Sequence, residues 1–504
     1  MTATMSTKLL DISYRMTKMN SKENKPVKNE KKCPYAKQCG GCAYIGEEYS
    51  SYLAKKKEYV EKLLAPFVKV SRITGMEEPF FYRNKVTCSF GIDAKKHPVS
   101  GIYAANSHRI VDVKECLIED KRAREVLNCV RELVKAFKIR VFDEDTGYGL
   151  LRHVMVRVGK TSGQIMVVLV TASPVFPSKQ NFCRELLKKC PDITTIVQNV
   201  NIRTDSLVLS DKENVFYGKG YIEDELCGKI FRISSRSFYQ VNSVQTKNLY
   251  SKAIEFAGLS GKEVVFDAYS GIGTIGICAS DFAKRVISVE LNKDAVKDAV
   301  FNAKRNEVKN ISFYTDDAGK FMVKMARDKE KADVVFMDPP RTGSSKEFID
   351  SVFSLSPSKV VYISCNPETL ARDLKMFKAG GYVAREAECF DMFPFTNHVE
   401  TVVLLERKCP IDHIKVKIDI QPEYITSAEA KATYSMIKEY ILEKNGVKVS
   451  NLYIAQVKDE FGIKERANYN IAKNGSPAKD LHVTDEKREL IIEALKHFKM
   501  INAD

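Results

Sequence analysis

The spacing of apolar positions divides the chain into regions with different periods. From about residue 79 to 209, short apolar or alternating runs are broken by glycine and proline, which is typical of strands. The clearest of these runs are residues 86–90, 153–158 and 164–170. Helical periods interrupt them at about 120–137 and 178–189. The pattern predicts a β-rich α+β region built on antiparallel strands.

A different alternation begins at about residue 235, where apolar runs are separated by helical stretches. The runs are residues 264–266, 285–289, 333–337, 359–363 and 402–405. Buried strands that alternate with helices are the pattern of a doubly wound sheet, which carries helices on both faces. We therefore predict an α/β, Rossmann-type domain over residues 235–409.

Both ends of the chain differ from this central pattern. Residues 1–32 are polar and rich in lysine, with almost nothing to bury, and are predicted to form a basic disordered arm. Residues 410–504 are predicted to form a small helical extension. Its helices are expected near 427–445, 450–461 and 484–498, with Ser450 and Thr484 as N-caps.

Length and charge narrow the classes of protein to consider. A chain of 504 residues is expected to form several domains. Its 80 Lys and Arg against 65 Asp and Glu give a net charge of +15, which suits a polyanionic partner. The sequence lacks both a long apolar run and the apolar core of a signal peptide. We expect a cytoplasmic protein without a membrane partner, whose 13 cysteines are thiols, ligands or catalytic groups rather than disulfides.

A glycine-rich loop follows the first strand of the predicted Rossmann-type domain. Gly271, Gly273 and Gly276 fit G-x-G-x-x-G between a strand and a helix. Glycines there allow the backbone to approach a ligand at the helix N-terminus. Glu290 ends the next strand, where an acid can hold both hydroxyls of a ribose. The loop predicts a nucleotide-like cofactor, and it fits a dinucleotide and S-adenosylmethionine equally well.

Two tetrapeptides lie at the carboxyl ends of later predicted strands, which is where an open α/β sheet binds its ligands. Asp338-Pro339-Pro340-Arg341 places a rigid, extended backbone there. Its fourth residue is Arg rather than the aromatic residue of many amino-methyltransferases, which argues against an exocyclic nitrogen as the target. Ser364-Cys365-Asn366-Pro367 places a cysteine at the mouth of the crevice, although an isolated cysteine is more often a small buried apolar residue.

One further acid completes a set that can carry out a known type of reaction. Glu400 lies just before the last strand, on the same face as His398. A thiolate that adds to C6 of uracil makes C5 nucleophilic toward a methyl sulfonium, and a base must then remove the C5 proton. Cys365, Glu400 and the loop at Gly271 supply these functions, so the sequence predicts methylation of a uridine at C5.

A compact group of cysteines precedes the first predicted strand. Cys33, Cys39 and Cys42 follow the spacing C-x5-C-x2-C. Cys116, beside a predicted strand end, is the expected fourth ligand. Four thiolates can hold either zinc or an iron–sulfur cluster, and the spacing does not distinguish the two.

Taken in order, these motifs resemble a known family, the 5-methyluridine RNA methyltransferases, and within it the iron–sulfur-containing 23S rRNA (uracil-5-)-methyltransferases. The resemblance covers about residues 33–408. It rests on the cysteine spacing, Tyr82-Arg83-Asn84-Lys85, Leu151-Arg152-His153, Phe238-Tyr239-Gln240-Val241-Asn242, residues 267–274, the two tetrapeptides and His398-Val399-Glu400-Thr401.

The resemblance implies a role for each of these groups. It makes Cys365 the nucleophile and Glu400 the proton acceptor. The residues that it implies for binding S-adenosylmethionine, besides Gly271 and Gly273, are Gln240, Tyr269, Thr274, Glu290, Asp317 and Asp338. It favours a [4Fe–4S] cluster on Cys33, Cys39, Cys42 and Cys116. The implied substrate is 23S rRNA, and we expect a monomer that does not bind DNA.

Several alternatives remain open at this point. The same chemistry on a uridine of the tRNA T-loop is the nearest alternative. An NAD-dependent iron–sulfur oxidoreductase would explain the glycines and cysteines, but it would leave the two tetrapeptides unexplained. A non-catalytic RNA-binding protein would explain the charge alone. The expected organisation is an arm (1–32), a cysteine-cluster region (33–78), an RNA-recognition region (79–234), a methyltransferase domain (235–409) and an extension (410–504) that binds RNA or serves packing or dimerisation.

Overall fold

The computed structural model describes residues 32–93, 98–104, 107, 109–144, 146–203, 207–408, 434–461, 463, 483–498 and 500–501. The chain divides into two compact units, residues 1–410 and 411–504. The predicted arm at 1–32 lies outside the described residues except for Lys32. No helix of the described ranges is both long and apolar enough to cross a membrane.

Seventeen strands and twelve α-helices are described, and their bounds in chain order are as follows. The strands are β1 (Val70–Thr74), β2 (Lys85–Ile92), β3 (Pro98–Tyr103), β4 (Ile110–Asp112), β5 (Leu151–Val158), β6 (Ile165–Thr171), β7 (Ile193–Val200), β8 (Glu213–Tyr217), β9 (Tyr221–Leu226), β10 (Lys229–Ser234), β11 (Val264–Ala268), β12 (Arg285–Glu290), β13 (Ile311–Thr315), β14 (Val334–Met337), β15 (Lys359–Ser364), β16 (Tyr382–Phe390) and β17 (Glu400–Arg407). The helices are α1 (Tyr49–Leu64), α2 (Lys121–Ala136), α3 (Lys179–Lys189), α4 (Ser243–Ala257), α5 (Thr274–Ala279), α6 (Lys293–Arg305), α7 (Ala318–Arg327), α8 (Lys346–Leu355), α9 (Pro367–Ala379), α10 (Tyr434–Asn445), α11 (Asn451–Glu460) and α12 (Asp485–His497).

The main sheet has eight strands in the order β1–β16–β17–β15–β14–β11–β12–β13. Its strands run parallel except for β17, which is antiparallel to both of its neighbours. Two apolar clusters cover its faces, one packed by α4, α5 and α6 and the other by α1, α7, α8 and α9. Helices on both faces of a largely parallel sheet confirm the predicted Rossmann-type fold.

The N-terminal part of the chain contributes to this main sheet as well. β1 pairs in parallel with β16, which places Val70 beside Ala387. The only apolar residues of β1 are Val70 and Ile73, and its other residues are polar, which fits an edge strand. Sequence patterns do not reveal this contact because the two strands are about 300 residues apart.

The second sheet has seven strands in the order β4–β3–β2–β5–β6–β7–β8. Helices α2 and α3 cover one face and share a core with it that includes Val130, Leu169 and Phe182. The prediction of an antiparallel α+β region holds for most pairs, but it is wrong for β6 and β7, which pair in parallel. Helix α3 connects those two strands, and a parallel pair needs such a crossover.

The C-terminal unit contains α10, α11 and α12, which confirms the three predicted helices. They share a small apolar core that includes Ile441, Ile454 and Ile491. Ser450 caps α11, and its hydroxyl accepts the Tyr453 N–H at 3.3 Å. The predicted start of the first helix, at 427–433, lies outside the described residues.

Candidate active site

The residues predicted to act as nucleophile and base lie at the carboxyl ends of the parallel strands β11, β12, β14 and β15 of the main sheet. This end of the strands is the edge of the sheet that holds the candidate site. Because β17 is antiparallel to β15, it begins at that same edge. Ser364 pairs with Thr401 in the ladder, so the next positions outward are Cys365 and Glu400. Residues that face each other in antiparallel strands have Cβ atoms about 4.5–5.5 Å apart. The structure therefore brings Cys365 and Glu400 together.

The turn after β15 holds the cysteine at the open edge. The Asn366 side chain caps α9 by accepting the Glu368 N–H at 3.1 Å, and Pro367 occupies the first turn of that helix. The Ser364 hydroxyl accepts the Asn366 N–H at 3.2 Å. Cys365 therefore lies on a short strand-to-helix turn whose backbone is fixed on both sides.

Burial and neighbouring charge shift the acidity of the groups at this edge. Burial, and then the nearby Asp338 carboxylate, raise the pKa of Glu400 to about 8. Burial alone raises the pKa of Asp338 to about 7. Burial, Glu400 and Asp338 raise the pKa of the Cys365 thiol to about 11, while Arg341 acts in the opposite direction. A carboxyl group with a pKa near neutrality is suited to accept a proton, and the thiol needs a positive charge nearby to ionise.

A cavity of about 590 Å³ lies in front of Cys365. Gly40 and Gly41 of the cysteine segment (residues 33–42) line it through their backbone. The charged and polar side chains of the lining, besides Cys365, are Arg83, Lys85, Thr87, Glu119, Arg341, Thr396 and His398. A contact of 3.3 Å joins Arg341 Nη2 to His398 Nδ1. Burial and then the charge of Arg341 lower the pKa of His398, which favours the neutral imidazole.

Two cations, Arg83 and Lys85, lie on the wall that the second sheet contributes to this cavity. Arg83 and Lys85 are two residues apart in an extended segment, so their side chains point to the same side. Among the described residues, neither side chain forms an ion pair or a hydrogen bond. Burial, followed by repulsion from Arg157 and Arg83, lowers the pKa of Lys85 to about 8. Unpaired cations in a cavity are suited to bind an anion.

The predicted cofactor loop follows β11. Gly271 and Gly273 have φ of +55° and +82°, in the left-handed region that glycine adopts at low cost. The Glu290 carboxylate accepts the Gly271 N–H at 3.0 Å and the Asn292 N–H at 2.8 Å. The acid at the end of β12 thus supports the loop directly, and each carboxylate oxygen keeps a lone pair for a ligand.

Three more of the predicted cofactor residues lie at the same edge. Tyr269 directly follows β11, and its ring centroid is 5.0 Å from that of Phe348. Thr274 is the first residue of α5. Asp317 follows β13 and caps α7. Together with Asp338 and Glu290, they occupy the ends of neighbouring strands.

Gln240 comes from a separate segment, 237–242, which leads into α4. The second sheet holds this segment: the Asn84 amide donates to the Gln240 carbonyl at 3.0 Å, and Arg157 Nη2 donates to the Ser237 carbonyl at 2.9 Å. The segment is also tied to the main-sheet part of the chain, because the Ser237 hydroxyl donates to Asp298 at 2.7 Å and the Asn242 amide donates to the Met392 carbonyl at 3.0 Å.

The four predicted cluster ligands line one small cavity, shared by Cys33, Cys39, Cys42 and Cys116. Burial, and then the charges of the other three thiols, raise the pKa of Cys42 to about 12, so the four groups lie near one another. Within the described ranges, however, no three His, Cys, Asp or Glu side chains are arranged to hold one metal ion. The iron–sulfur cluster therefore stays a prediction.

Comparison with known proteins identifies the family. The model of the tRNA (Uracil-5-)-methyltransferase family matches residues 48–408. An uncharacterized RNA methyltransferase of Halalkalibacterium halodurans is 41% identical over 395 residues, covering 77% of this chain and 86% of the relative. Another, from Caldanaerobacter subterraneus, is 41% identical over 379 residues, covering 74% and 84%. The family match begins after Cys42, so three of the four predicted cluster ligands lie outside it.

A solved structure agrees with this assignment. The Pyrococcus abyssi tRNA (uracil-54, C5)-methyltransferase in complex with S-adenosyl-L-homocysteine superposes with a TM-score of 0.61 at 29% identity, covering 75% of this chain and 87% of that one. The prediction of a uracil-5 RNA methyltransferase is confirmed at this level. The chain belongs to the tRNA (uracil-5-)-methyltransferase family and is an S-adenosylmethionine-dependent RNA methyltransferase.

Proposed function

We propose that the enzyme methylates C5 of a uridine through a covalent bond between Cys365 and C6 of the base. The observation that carries this proposal is the position of Cys365 and Glu400, one residue beyond the last pair of the β15–β17 ladder and close enough for Glu400 to raise the pKa of the thiol. C5 of uracil is a poor nucleophile. When the Cys365 thiolate adds to C6, the electron pair of the C5–C6 double bond moves toward O4 and the resulting enolate is nucleophilic at C5.

The remaining steps need one more group from the chain. S-adenosylmethionine, when bound, supplies an electrophilic methyl group. C5 forms a bond to the methyl carbon, and S-adenosylhomocysteine leaves with the electron pair of the broken carbon–sulfur bond. Glu400 then accepts the C5 proton, the C5–C6 double bond forms again, and the Cys365 sulfur departs as a thiolate.

The surroundings of Cys365 suit this sequence of steps. The thiol is protonated at neutral pH in the free protein, because burial and two nearby acids raise its pKa. A sulfonium ion in the crevice adds a positive charge that lowers this pKa, as Arg341 already does. The nucleophile is thus activated when the methyl donor is in place, which limits side reactions of the free thiol.

The methyl donor is proposed to lie along the ends of β11, β12 and β14. The backbone turn at Gly271 and Gly273 leaves room for the ligand, and Glu290 supplies oxygens for its ribose hydroxyls. Tyr269, Thr274, Asp317, Asp338 and Gln240 are the further residues proposed to contact it.

The cavity suggests how RNA is bound. C5 and C6 of a stacked base are not accessible to Cys365, so the target uridine must leave the stack and enter the cavity. Arg83 and Lys85 line the same cavity as Cys365 and are proposed to bind backbone phosphates next to that nucleotide. This proposed role in phosphate binding rests on the absence of any ion pair for these two side chains among the described residues.

The cysteine segment is proposed to hold a [4Fe–4S] cluster on Cys33, Cys39, Cys42 and Cys116. Each iron of such a cluster takes one thiolate, so its ligands surround a common volume rather than converge on one ion. This requirement agrees with four thiols that line one cavity. The reaction is redox-neutral, so the cluster is proposed to order the segment whose Gly40 and Gly41 line the RNA cavity.

The substrate is proposed to be 23S rRNA, on the basis of the resemblance carried by the cysteine segment. The alternative is a tRNA T-loop uridine, which is favoured by the structural likeness to the Pyrococcus abyssi tRNA enzyme. Nucleoside mass spectrometry separates the two. The purified protein is incubated with S-adenosylmethionine and either unmodified 23S rRNA or unmodified tRNA, beside Cys365→Ala and the control Cys183→Ala, a buried cysteine in α3.

Each result has a distinct meaning. If 5-methyluridine appears in rRNA with the wild type and the control but not with Cys365→Ala, both the mechanism and the substrate are supported. If it appears only in tRNA, the chemistry stands and the rRNA proposal is wrong. If Cys365→Ala methylates as fast as the wild type, the covalent mechanism is wrong.

A further inference from the structure

The loop at residues 391–399 connects β16 to β17 and leads directly into Glu400. Phe393, Thr396 and His398 of this loop line the cavity in front of Cys365. The shape of the loop therefore sets both one wall of the cavity and the starting point of the strand that carries the proposed base. The contacts that hold the loop in place therefore affect the position of Glu400, the proposed base.

A single buried lysine from α1 connects the two ends of this loop. Lys56 Nζ donates to Asp391 Oδ1 at 2.6 Å, to the His398 carbonyl at 2.8 Å and to the Phe393 carbonyl at 3.2 Å. An ammonium group has three hydrogens, so these contacts use all of them. The side chains of Lys56 and Asp391 are 2% and 0% exposed.

The middle of the loop is strained and is held by tyrosines. Phe395 has φ of +66°, which is uncommon for a residue other than glycine and persists only where the surroundings support it. The Tyr52 hydroxyl accepts the Phe395 N–H at 3.2 Å, and the Tyr82 hydroxyl donates to the Pro394 carbonyl at 3.1 Å. Backbone groups across the loop are thus fixed by side chains from other elements.

The loop also contacts the cysteine segment. The Phe395 carbonyl accepts the N–H groups of Ala43 and Tyr44 at 2.8 and 3.0 Å. Ala43 directly follows Cys42. Backbone hydrogen bonds therefore link the cysteine segment to the loop. Lys56 belongs to a different element, α1, so it can be substituted without changing a cysteine or a side chain that lines the cavity.

We infer that Lys56 is a positioning residue for the proton-removal step, because it fixes the loop that places Glu400. The inference rests on the proposed function of Cys365 and Glu400. Its contacts do not reach the turn between β15 and α9, which holds Cys365. Removal of the lysine is therefore expected to slow elimination more than addition, so that the covalent enzyme–RNA adduct accumulates.

Energetics favour a geometric role over a purely stabilising one. Burying two charges carries a desolvation cost, and apolar replacements of buried ion pairs are often neutral or stabilising. Burial lowers the pKa of Lys56 and raises that of Asp391, as expected for such a site. The Lys56 ammonium donates to two backbone carbonyls that are five residues apart and so holds both ends of the segment between them in place. An apolar side chain cannot make these hydrogen bonds.

The test compares four variants of the full-length protein. Lys56→Met removes the ammonium, and Lys56→Met/Asp391→Asn also removes the carboxylate that is left unpaired, which should recover part of the lost thermal stability. Glu400→Gln blocks the proposed base itself. Ile349→Ala, at a fully buried residue that belongs to α8 rather than to the loop or α1, is the control for lost stability alone. Turnover and the SDS-resistant protein–RNA adduct are measured with unmodified RNA and S-adenosylmethionine.

We expect both Lys56 variants to lose about 100-fold in kcat, the scale of a displacement of about 1 Å, with a KM for RNA that does not exceed the wild-type value. Both should accumulate the adduct, as Glu400→Gln does, while Ile349→Ala should not. The inference is overturned if the double variant regains wild-type turnover or if neither Lys56 variant accumulates adduct while Glu400→Gln does. If Glu400→Gln itself forms no adduct, the proposed function fails instead.

Discussion

The carboxyl groups of Asp338 and Glu400 lie close enough for the charge of the first to raise the pKa of the second. They come from neighbouring parts of one sheet edge, Asp338 after β14 and Glu400 at the start of β17. Burial contributes most, and the pKa of Glu400 reaches about 8. With this pKa the carboxyl is mostly protonated at pH 7, and the fraction that can act as a base increases as the pH rises.

The first prediction concerns the pH dependence of turnover. Glu400 must be a carboxylate to accept the C5 proton, and the thiol of Cys365 must ionise, so both steps gain from a higher pH. We expect kcat to rise between about pH 6 and 8, with a midpoint below 8 because the bound sulfonium favours the ionised forms. Steady-state rates across this range measure it. A rate that is flat or falls over the same interval would contradict the assignment of the base.

The second prediction concerns stability. The folded-state pKa of Glu400 is about 8 against an ordinary value of 4.5, so its ionisation destabilises the fold progressively as the pH rises from 4.5 to 8. Glu400→Gln removes this cost. Its melting temperature should exceed that of the wild type at about pH 8.5, and the two should converge near pH 5. Thermal unfolding at both pH values measures the difference. A variant that is less stable than the wild type at the higher pH would show that the carboxylate is compensated in the fold.

The third prediction concerns Arg83 and Lys85. If they bind RNA phosphates, Arg83→Gln and Lys85→Met should weaken RNA binding and flatten its salt dependence, by about 0.7 in the log–log slope for each phosphate that is no longer neutralised. Lys284→Met is the control, because Lys284 is exposed at the opposite edge of the main sheet, just before β12. Affinity titrations at several salt concentrations measure the slope. Equal slopes for all variants would remove these two residues from the RNA site.

The fourth prediction concerns the cysteine segment. Protein purified without oxygen should contain about four irons and four sulfides per chain, as a [4Fe–4S] cluster requires. Cys116→Ser should lose this iron and bind RNA more weakly. Cys129→Ser, at a half-buried cysteine of α2 outside the segment, should keep both properties. Wild-type protein that binds zinc in place of iron, or a Cys116→Ser variant with full iron content, would contradict the cluster assignment.

Much of the main sheet could be predicted because its central strands are buried on both faces. Apolar runs such as 333–337 and 359–363 have few interpretations other than a parallel strand, and the strand-end motifs follow them directly. Since parallel strands end at the same edge, the proximity of Asp338 and Cys365 is already implied by the order of the motifs. The facing position of Glu400 depends in addition on the reversed direction of β17.

Other features depend on contacts between distant parts of the chain. Lys56 lies between Lys55 and Lys57 in a charged helix, where a solvated face is the ordinary interpretation, yet its partner Asp391 is 335 residues away. The parallel pairing of β6 and β7 likewise follows from how α3 packs rather than from the strand sequences. Arg83 and Lys85 are visible only as alternating cations at the start of a strand until the cavity gives them a position.

The most direct test of the central claim is to trap the covalent intermediate and locate it. RNA that carries 5-fluorouridine at the target position cannot complete the reaction, because Glu400 cannot remove a C5 fluorine as it removes a proton. Mass spectrometry of the digested complex, formed with S-adenosylmethionine, should find one methylated fluorouridine attached to the peptide that contains Cys365. An adduct on another residue, or 5-methyluridine formation by Cys365→Ala at the wild-type rate, would contradict the account.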